Sequence, residues 1–287
     1  MTAPLNSIDE GATFGSRLRA AMDEYGPVCV GIDPHEGLLE AWDLPVSAEG
    51  AREFGLRVVE ALGGRVAAMK PQSAFFECFG SAGVAALEEV LAAGRSAGTA
   101  MILDVKRGDI GSTMAGYARA HLMPGAPGEA DAITLSPYLG AGALAPALDM
   151  AAEHGKGAFL LALTSNPEGA LLQHATTADG RSVAGVVIDE VASRNAGAAP
   201  MGSFGVVIGA TIGSAVRDLG LDLAAMNGPF LAPGIGAQGA GPDEVRDVFG
   251  EARSNVLASA SRSVLSGGPS VDGLRAAAAQ AVEDLGA

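Results

Sequence analysis

Two carboxylates and an ammonium stand at the end of one apolar run: Asp104, Asp109 and Lys106 in MILDVKRGDIGST, residues 101–113. An ammonium fenced by carboxylates stays charged, and a charged ammonium can stabilise developing negative charge and then give up a proton. If the run is an extended strand, positions two apart point to one side, so Asp104 and Lys106 face the same space. Lys70, which ends the earlier run RVAAMK, adds a second ammonium, and Asp109 a second carboxylate, giving an array of alternating sign. One buried ion pair is as often structural as functional. Four charges converging from successive strands are costly to desolvate and could be replaced by apolar packing, which favours a function.

The elements that must position these groups are legible as a repeated beat. Short apolar runs rich in strand formers occur at 28–33, 65–70, 100–105, 132–137, 158–164, 204–210, 229–235 and 255–261. Between them lie Ala-rich stretches, such as 51–62, 84–97, 143–154 and 183–194, whose apolar positions recur at helical spacing. Strand then helix, eight times over, predicts a (β/α)8 TIM barrel occupying residues 1–287 as a single domain. An N-terminal helical extension, about residues 12–25, precedes the first strand and is placed to close the barrel floor. An open doubly wound sheet shares the alternation, but it usually carries a Gly-rich turn after its first strand, where this chain has GIDPHEG. In such a barrel the carboxyl ends of the strands form the active face, and Asp33, Lys70, Asp104, Ser136, Thr164, Thr211 and Arg262 all fall at those ends.

Composition narrows the classes of partner. The net charge of −15 repels nucleic-acid phosphates and anionic membranes, and no stripe of Lys and Arg offsets it. No apolar run reaches membrane-spanning length, and the start of the chain lacks a basic and apolar leader, so the cytoplasm is the expected location. The two cysteines, Cys29 and Cys78, are far apart in apolar contexts and read as packing residues. Trp42 is expected to pack against a surface helix or loop, and the four histidines to be solvated or structural.

A second group of residues suits an anion. LAPGIGAQG, residues 231–239, ends the seventh run, and Arg262 ends the eighth; loops after these two strands are a common phosphate site in barrels. Gly234 and Gly236 let backbone N–H groups approach closely, Arg262 can bind phosphate oxygens bidentately, and Gln238 can clamp from above.

DVKRGDIGST resembles the DxKxxDI signature of the orotidine 5′-phosphate decarboxylase family, and MKPQSAFFE, LTSNP and PGIGAQG resemble further blocks of its longer bacterial subclass. The resemblance runs from about Val28 to Leu265. It implies loss of CO2 from orotidine 5′-monophosphate to give UMP, in pyrimidine biosynthesis, without metal or organic cofactor, by a homodimeric barrel. By the same resemblance Asp104 faces the substrate carboxylate, Lys106 protonates C6, and Lys70 orients Asp104 and touches ribose. Asp33 takes a ribose hydroxyl, Ser165 the pyrimidine edge with Pro233 beside it, and Gln238 and Arg262 the phosphate. Asp109 and Thr113 are implied to reach into the partner's site. One departure is Ser261, where many relatives have Gly before the arginine.

Two other readings remain. A Mg2+-dependent phosphosugar decarboxylase or aldolase shares DxKxxD, but it typically places a metal-binding glutamate where this chain has Lys70. A catalytically silent phosphosugar-binding barrel would have little use for Lys106 flanked by both carboxylates.

Overall fold

A computed structural model describes residues 12–235 and 241–286. Eight parallel strands close into a barrel in sequence order: β1 (Val28–Ile32), β2 (Ala68–Pro71), β3 (Ala100–Arg107), β4 (Ala132–Leu135), β5 (Gly157–Leu163), β6 (Phe204–Ile208), β7 (Phe230–Pro233) and β8 (Val256–Ala260). Pairing of Val28 with Ala258 and Cys29 with Ser259 joins β1 to β8, which an open sheet could not do.

The period-2 alternation of the strands sorts their side chains into two cores. Val28, Val30, Met69, Met101, Leu103, Ile133 and Leu135 point outward and pack under the ring of helices. Cys29, Ala68, Ile102, Ala132, Phe159, Leu231 and Leu257 point inward and fill the lower barrel. The same parity, followed toward the carboxyl end, brings Lys70, Asp104 and Thr134 inward at the mouth, where all three are buried.

Helix Phe14–Tyr25, capped by the Thr13 hydroxyl, lies across the barrel floor. Phe14, Leu18 and Met22 join the inner core, and Phe14 meets Phe159 edge to face at 6.1 Å. Each such buried side chain contributes about 2 kcal/mol. Gly157 at the start of β5 makes the contact possible, because a Cβ there would lie 2.2 Å from the Phe14 ring. The outer helices match the apolar spacing closely. Val183–Arg194 has the expected bounds, with Ser182 accepting from Gly185 N. The expected 51–62 helix begins earlier, at Ala48, because Ser47 caps it. The expected 143–154 helix starts as a 3-10 turn, Ala141–Leu144, before Ala145–Glu153.

Trp42 packs against an outer helix as expected, buried and stacked on Phe54 with ring centroids 4.1 Å apart. One packing expectation is corrected. Cys29 is buried in the barrel as expected, but Cys78 is exposed, because the short helix Ala74–Glu77 buries Phe76 and turns its other side outward. No helix among the described residues is long and apolar enough to cross a membrane.

Candidate active site

A hollow of about 670 Å³ opens at the carboxyl ends of the strands. Asp104 lies at its base, buried, and its carboxylate accepts from four side chains. Lys70 Nζ and Gln72 Nε2 each donate to Oδ2 at 3.0 Å. Lys106 Nζ donates to Oδ1 at 2.6 Å and Thr134 Oγ1 at 2.8 Å. A carboxylate has about four lone-pair positions, so Asp104 is saturated. Burial alone would raise its pKa; Lys70 and Lys106 outweigh that and hold it well below the usual carboxylate range. Burial alone would likewise lower Lys70, but the charges of Asp104 and then Asp33 outweigh it and hold the ammonium up. Both groups are therefore ionised at neutral pH.

Asp104 and Lys106 do share one space, but not by simple strand alternation. The pairing of β3 with β4 slips between Leu103 and Arg107, and Lys106 has φ +46°, a left-handed conformation uncommon for a residue with a side chain. The slipped segment would leave two N–H groups without ladder partners. Thr134 takes both: Oγ1 accepts from Val105 N at 3.0 Å and Lys106 N at 2.9 Å while donating to Asp104. One buried hydroxyl thus holds the bulge, the lysine backbone and the carboxylate in register. Strained backbone of this kind collects at functional sites.

The array in one chain also differs from the expected one. Asp109 does not join it; its Oδ1 accepts from its own neighbour Ile110 N at 2.8 Å, and neither Asp109 nor Thr113 lines the mouth. The fourth charge is Asp33, which lines the mouth and acts on Lys70. Its buried Oδ1 has no hydrogen-bond partner among the described residues, an acceptor open to a ligand hydroxyl.

Ser165, Pro233, Gly234, Ser261 and Arg262 line the same hollow, and Gly234 has φ +96°. Gly236 and Gln238 lie outside the described residues. Ser261 is accommodated by a glycine opposite: a Cβ on Gly31 would sit 1.9 Å from its hydroxyl oxygen. Of the polar strand-end residues, Ser136 and Thr211 are not in the lining, and β4 contributes Thr134 instead. Both Thr134 and Ser136 share the inward parity of Ala132, but β4 ends at Leu135, before Ser136. Gln72 and Gln173 also line the hollow. Gln173 clasps the end of β5, accepting from Thr164 N at 2.9 Å and donating to Thr164 Oγ1 at 2.7 Å. Its helix, Gly169–Gln173, and the preceding Asn166 bring the start of the 166–181 loop to the mouth.

A saturated carboxylate is a poor base and a poor metal ligand. Lys106 differs, because only one of its three donors is bound to Asp104 and its side chain is 44% exposed toward the mouth. The arrangement can hold a positive charge and a transferable proton against a ligand whose hydroxyl and anionic groups are met by Asp33 and Arg262.

Comparison with known proteins agrees with this geometry. A family model described as orotidine 5′-phosphate decarboxylase / HUMPS family matches residues 26–277. A protein of Salinispora arenicola named orotidine 5′-phosphate decarboxylase is 60% identical, over 95% of this chain and 96% of its own length. One of the same name from Streptomyces coelicolor is 56% identical, over 92% and 94%. A crystal structure from Streptomyces avermitilis superposes with TM-score 0.91 at 54% identity, covering 96% of this chain and 95% of its own. The structure of Leishmania donovani OMP decarboxylase superposes with TM-score 0.74 at 30% identity, covering 96% and 97%. Barrel, charged mouth and sequence agree, and the chain belongs to the orotidine 5′-phosphate decarboxylase / HUMPS family.

Proposed function

We propose that this chain is a carboxy-lyase that converts orotidine 5′-monophosphate to UMP and CO2 without a cofactor, a step of pyrimidine biosynthesis. It does so as one barrel domain, in the cytoplasm. The observation that carries the reading is the saturated Asp104 beside a Lys106 ammonium with donors to spare.

Arg262 and the backbone at Gly234, with Gly236 and Gln238 beyond the described residues, take the phosphate. Asp33 and Lys70 meet the ribose, and Ser165 and Pro233 the pyrimidine. The substrate carboxylate then lies against Asp104, whose charge cannot be relieved by protonation at neutral pH. When the bond from C6 to the carboxyl carbon breaks, CO2 leaves and the electron pair stays on C6, where the ring offers no conjugated sink. Lys106 stabilises that pair and then protonates it, and solvent restores the lysine proton. Enzymes lower barriers by roughly 8 to 23 kcal/mol, whereas one preorganised contact supplies about 3 to 4 kcal/mol. Phosphate binding and the surrounding charges must therefore contribute the rest.

Asp104 is saturated and position 70 is a lysine, so the mouth offers a cation only the one unmet carboxylate oxygen of Asp33, beside two ammonium groups, which weighs against the Mg2+-dependent phosphosugar reading. The test is loss of orotidylate absorbance by the purified protein, expected to proceed undiminished in EDTA; no loss, or a requirement for Mg2+, rejects the reading. Replacing Arg262 by Gln should weaken UMP by about 10- to 100-fold and uridine hardly at all. Equal effects on both would remove Arg262 from the phosphate site.

The working form is proposed to be a homodimer, with Asp109 and Thr113 entering the partner's mouth. Exposed apolar side chains, Ile110, Tyr117, Tyr138 and Leu139, surround that segment and support a covered face. Mixing Lys106→Ala with Asp109→Ala protomers should restore activity that neither has alone, because one mixed site regains both residues. No recovery on exchange of protomers rejects the shared site.

A further inference from the structure

A second hollow, of about 880 Å³, opens at the opposite end of the barrel, among residues that precede β1, β2 and β8 and the last helix, Val271–Glu283. The amino-terminal face of such a barrel ordinarily serves stability, so charged residues there should be paired. Several are not. Of the chain's 15 arginines, nine reach a carboxylate among the described residues. Of the six that do not, Arg262 lines the mouth, and Arg65, Arg253 and Arg275 all line the floor hollow.

These three arrive from separate parts of the chain, and each keeps donors free. Arg275 gives Nε to Ala61 O at 2.9 Å, and Arg253 gives one N–H to Gly250 O at 3.3 Å, of five donors apiece. The acids of the same hollow are mostly committed. Asp23 is bound by Arg19 at 2.7 Å, and Glu24 hydrogen-bonds Tyr25, which leaves Glu283. The buried Nε of Arg19 also lacks a partner among the described residues. The rest of the wall, with Met22, Leu62, Val66 and Val282, is apolar. In a chain of net charge −15, three guanidiniums without a carboxylate partner among the described residues gather around one hollow, and the backbone bonds of Arg253 and Arg275 use only one donor each.

We propose that the floor hollow is a second ligand site, for a phosphorylated small molecule carrying an apolar body. A phosphate monoester, with nearly two negative charges at neutral pH and forked oxygens, matches several guanidiniums better than a single carboxylate does. This site is separate from the mouth and independent of the reaction assigned there.

The probe is phenyl phosphate, titrated by calorimetry into the full chain carrying Arg262→Gln with the mouth saturated by UMP, so that the mouth does not compete for the probe. One site per chain is expected. Adding Arg65→Gln and Arg275→Gln should weaken it by about tenfold or more. Because Arg275 also braces Ala61, Arg65→Gln alone serves as a second variant; the Arg65 guanidinium makes no hydrogen bond or ion pair among the described residues, and its replacement should still weaken binding several-fold. Inorganic phosphate should compete, but about tenfold more weakly. No heat in the Arg262→Gln protein, or affinity unchanged by Arg65→Gln, overturns the site. Equal affinity for phosphate and phenyl phosphate overturns the apolar part of the ligand.

Discussion

Two clusters of buried charge lie at opposite ends of this barrel, built from the same residue types. At the mouth, Asp104 sits between Lys70 and Lys106. At the start of β4 and β5, Lys156 reaches Glu129 at 2.7 Å and Asp131 at 3.6 Å, with Arg95 and Arg17 on the same two carboxylates. The lower cluster also ties down backbone: Asp131 accepts from Met101 N, and Glu129 from Gly125 N. It links the floor helix, through Arg17, to three strands. Its lysine side chain is 9% exposed, whereas that of Lys106 is 44% exposed. Burial and opposite charge are therefore common to both and do not by themselves make an active site. The difference is spare capacity: the mouth keeps free donors on Lys106 and an unmet acceptor on Asp33, both facing a hollow.

That contrast can be broken most directly at its two lysines. Lys106→Ala should lower kcat by at least about 10³-fold while UMP affinity stays nearly unchanged, because the ammonium acts on the reacting carbon. An equal loss of binding and turnover would remove it from that role. Lys156→Met should do the reverse: stability to urea should fall by about 3 kcal/mol, since a buried pair loses one partner, with kcat unchanged below the transition. A slow but fully stable Lys156→Met enzyme would show that the lower cluster also serves catalysis.

Thr134 sharpens the comparison, being structural in its contacts and functional in what it holds. Thr134→Val keeps the shape but orphans Val105 N and Lys106 N, a cost of about 1 to 3 kcal/mol. Turnover should drop about tenfold or more with KM little changed, and Thr134→Ser should restore most of it. If stability falls while kcat does not, Thr134 serves only the fold.

The smallest effect is a pH dependence at Glu129. Burial would raise this carboxylate, but hydrogen bonds from Lys156 and Gly125 outweigh it and lower its pKa from the ordinary 4.5. A depressed carboxylate stabilises the fold above the unfolded value, and that contribution is lost as pH falls below it. The stability difference between the native chain and Glu129→Gln should therefore be constant near neutrality and shrink below about pH 4.5. A difference that persists unchanged to lower pH would mean that the pairing energy does not depend on this charge.

Much of the site was legible because strand ends are local features. Lys70, Asp104 and Arg262 each follow an apolar run, and a barrel directs such ends to one face. Thr134 and Ser136 share the inward parity of Ala132, and the sequence does not show that β4 ends at Leu135, which leaves Thr134 as the last inward side chain of the strand and Ser136 beyond it. Asp109 shares a motif with Lys106 yet turns away from it, since the chain leaves the strand after Arg107 and enters the helix Gly111–Leu122.

From the order of residues alone came the eight-fold alternation, the barrel, the floor helix and the polar ends of the strands, all set by spacing along a few neighbouring positions. The tertiary structure decided the slipped register at Lys106, the hydroxyl that supports it, the four-fold saturation of Asp104 and the gathering of Arg65, Arg253 and Arg275. Each of these joins residues far apart in the chain, and only closure of the barrel sets the distances between them.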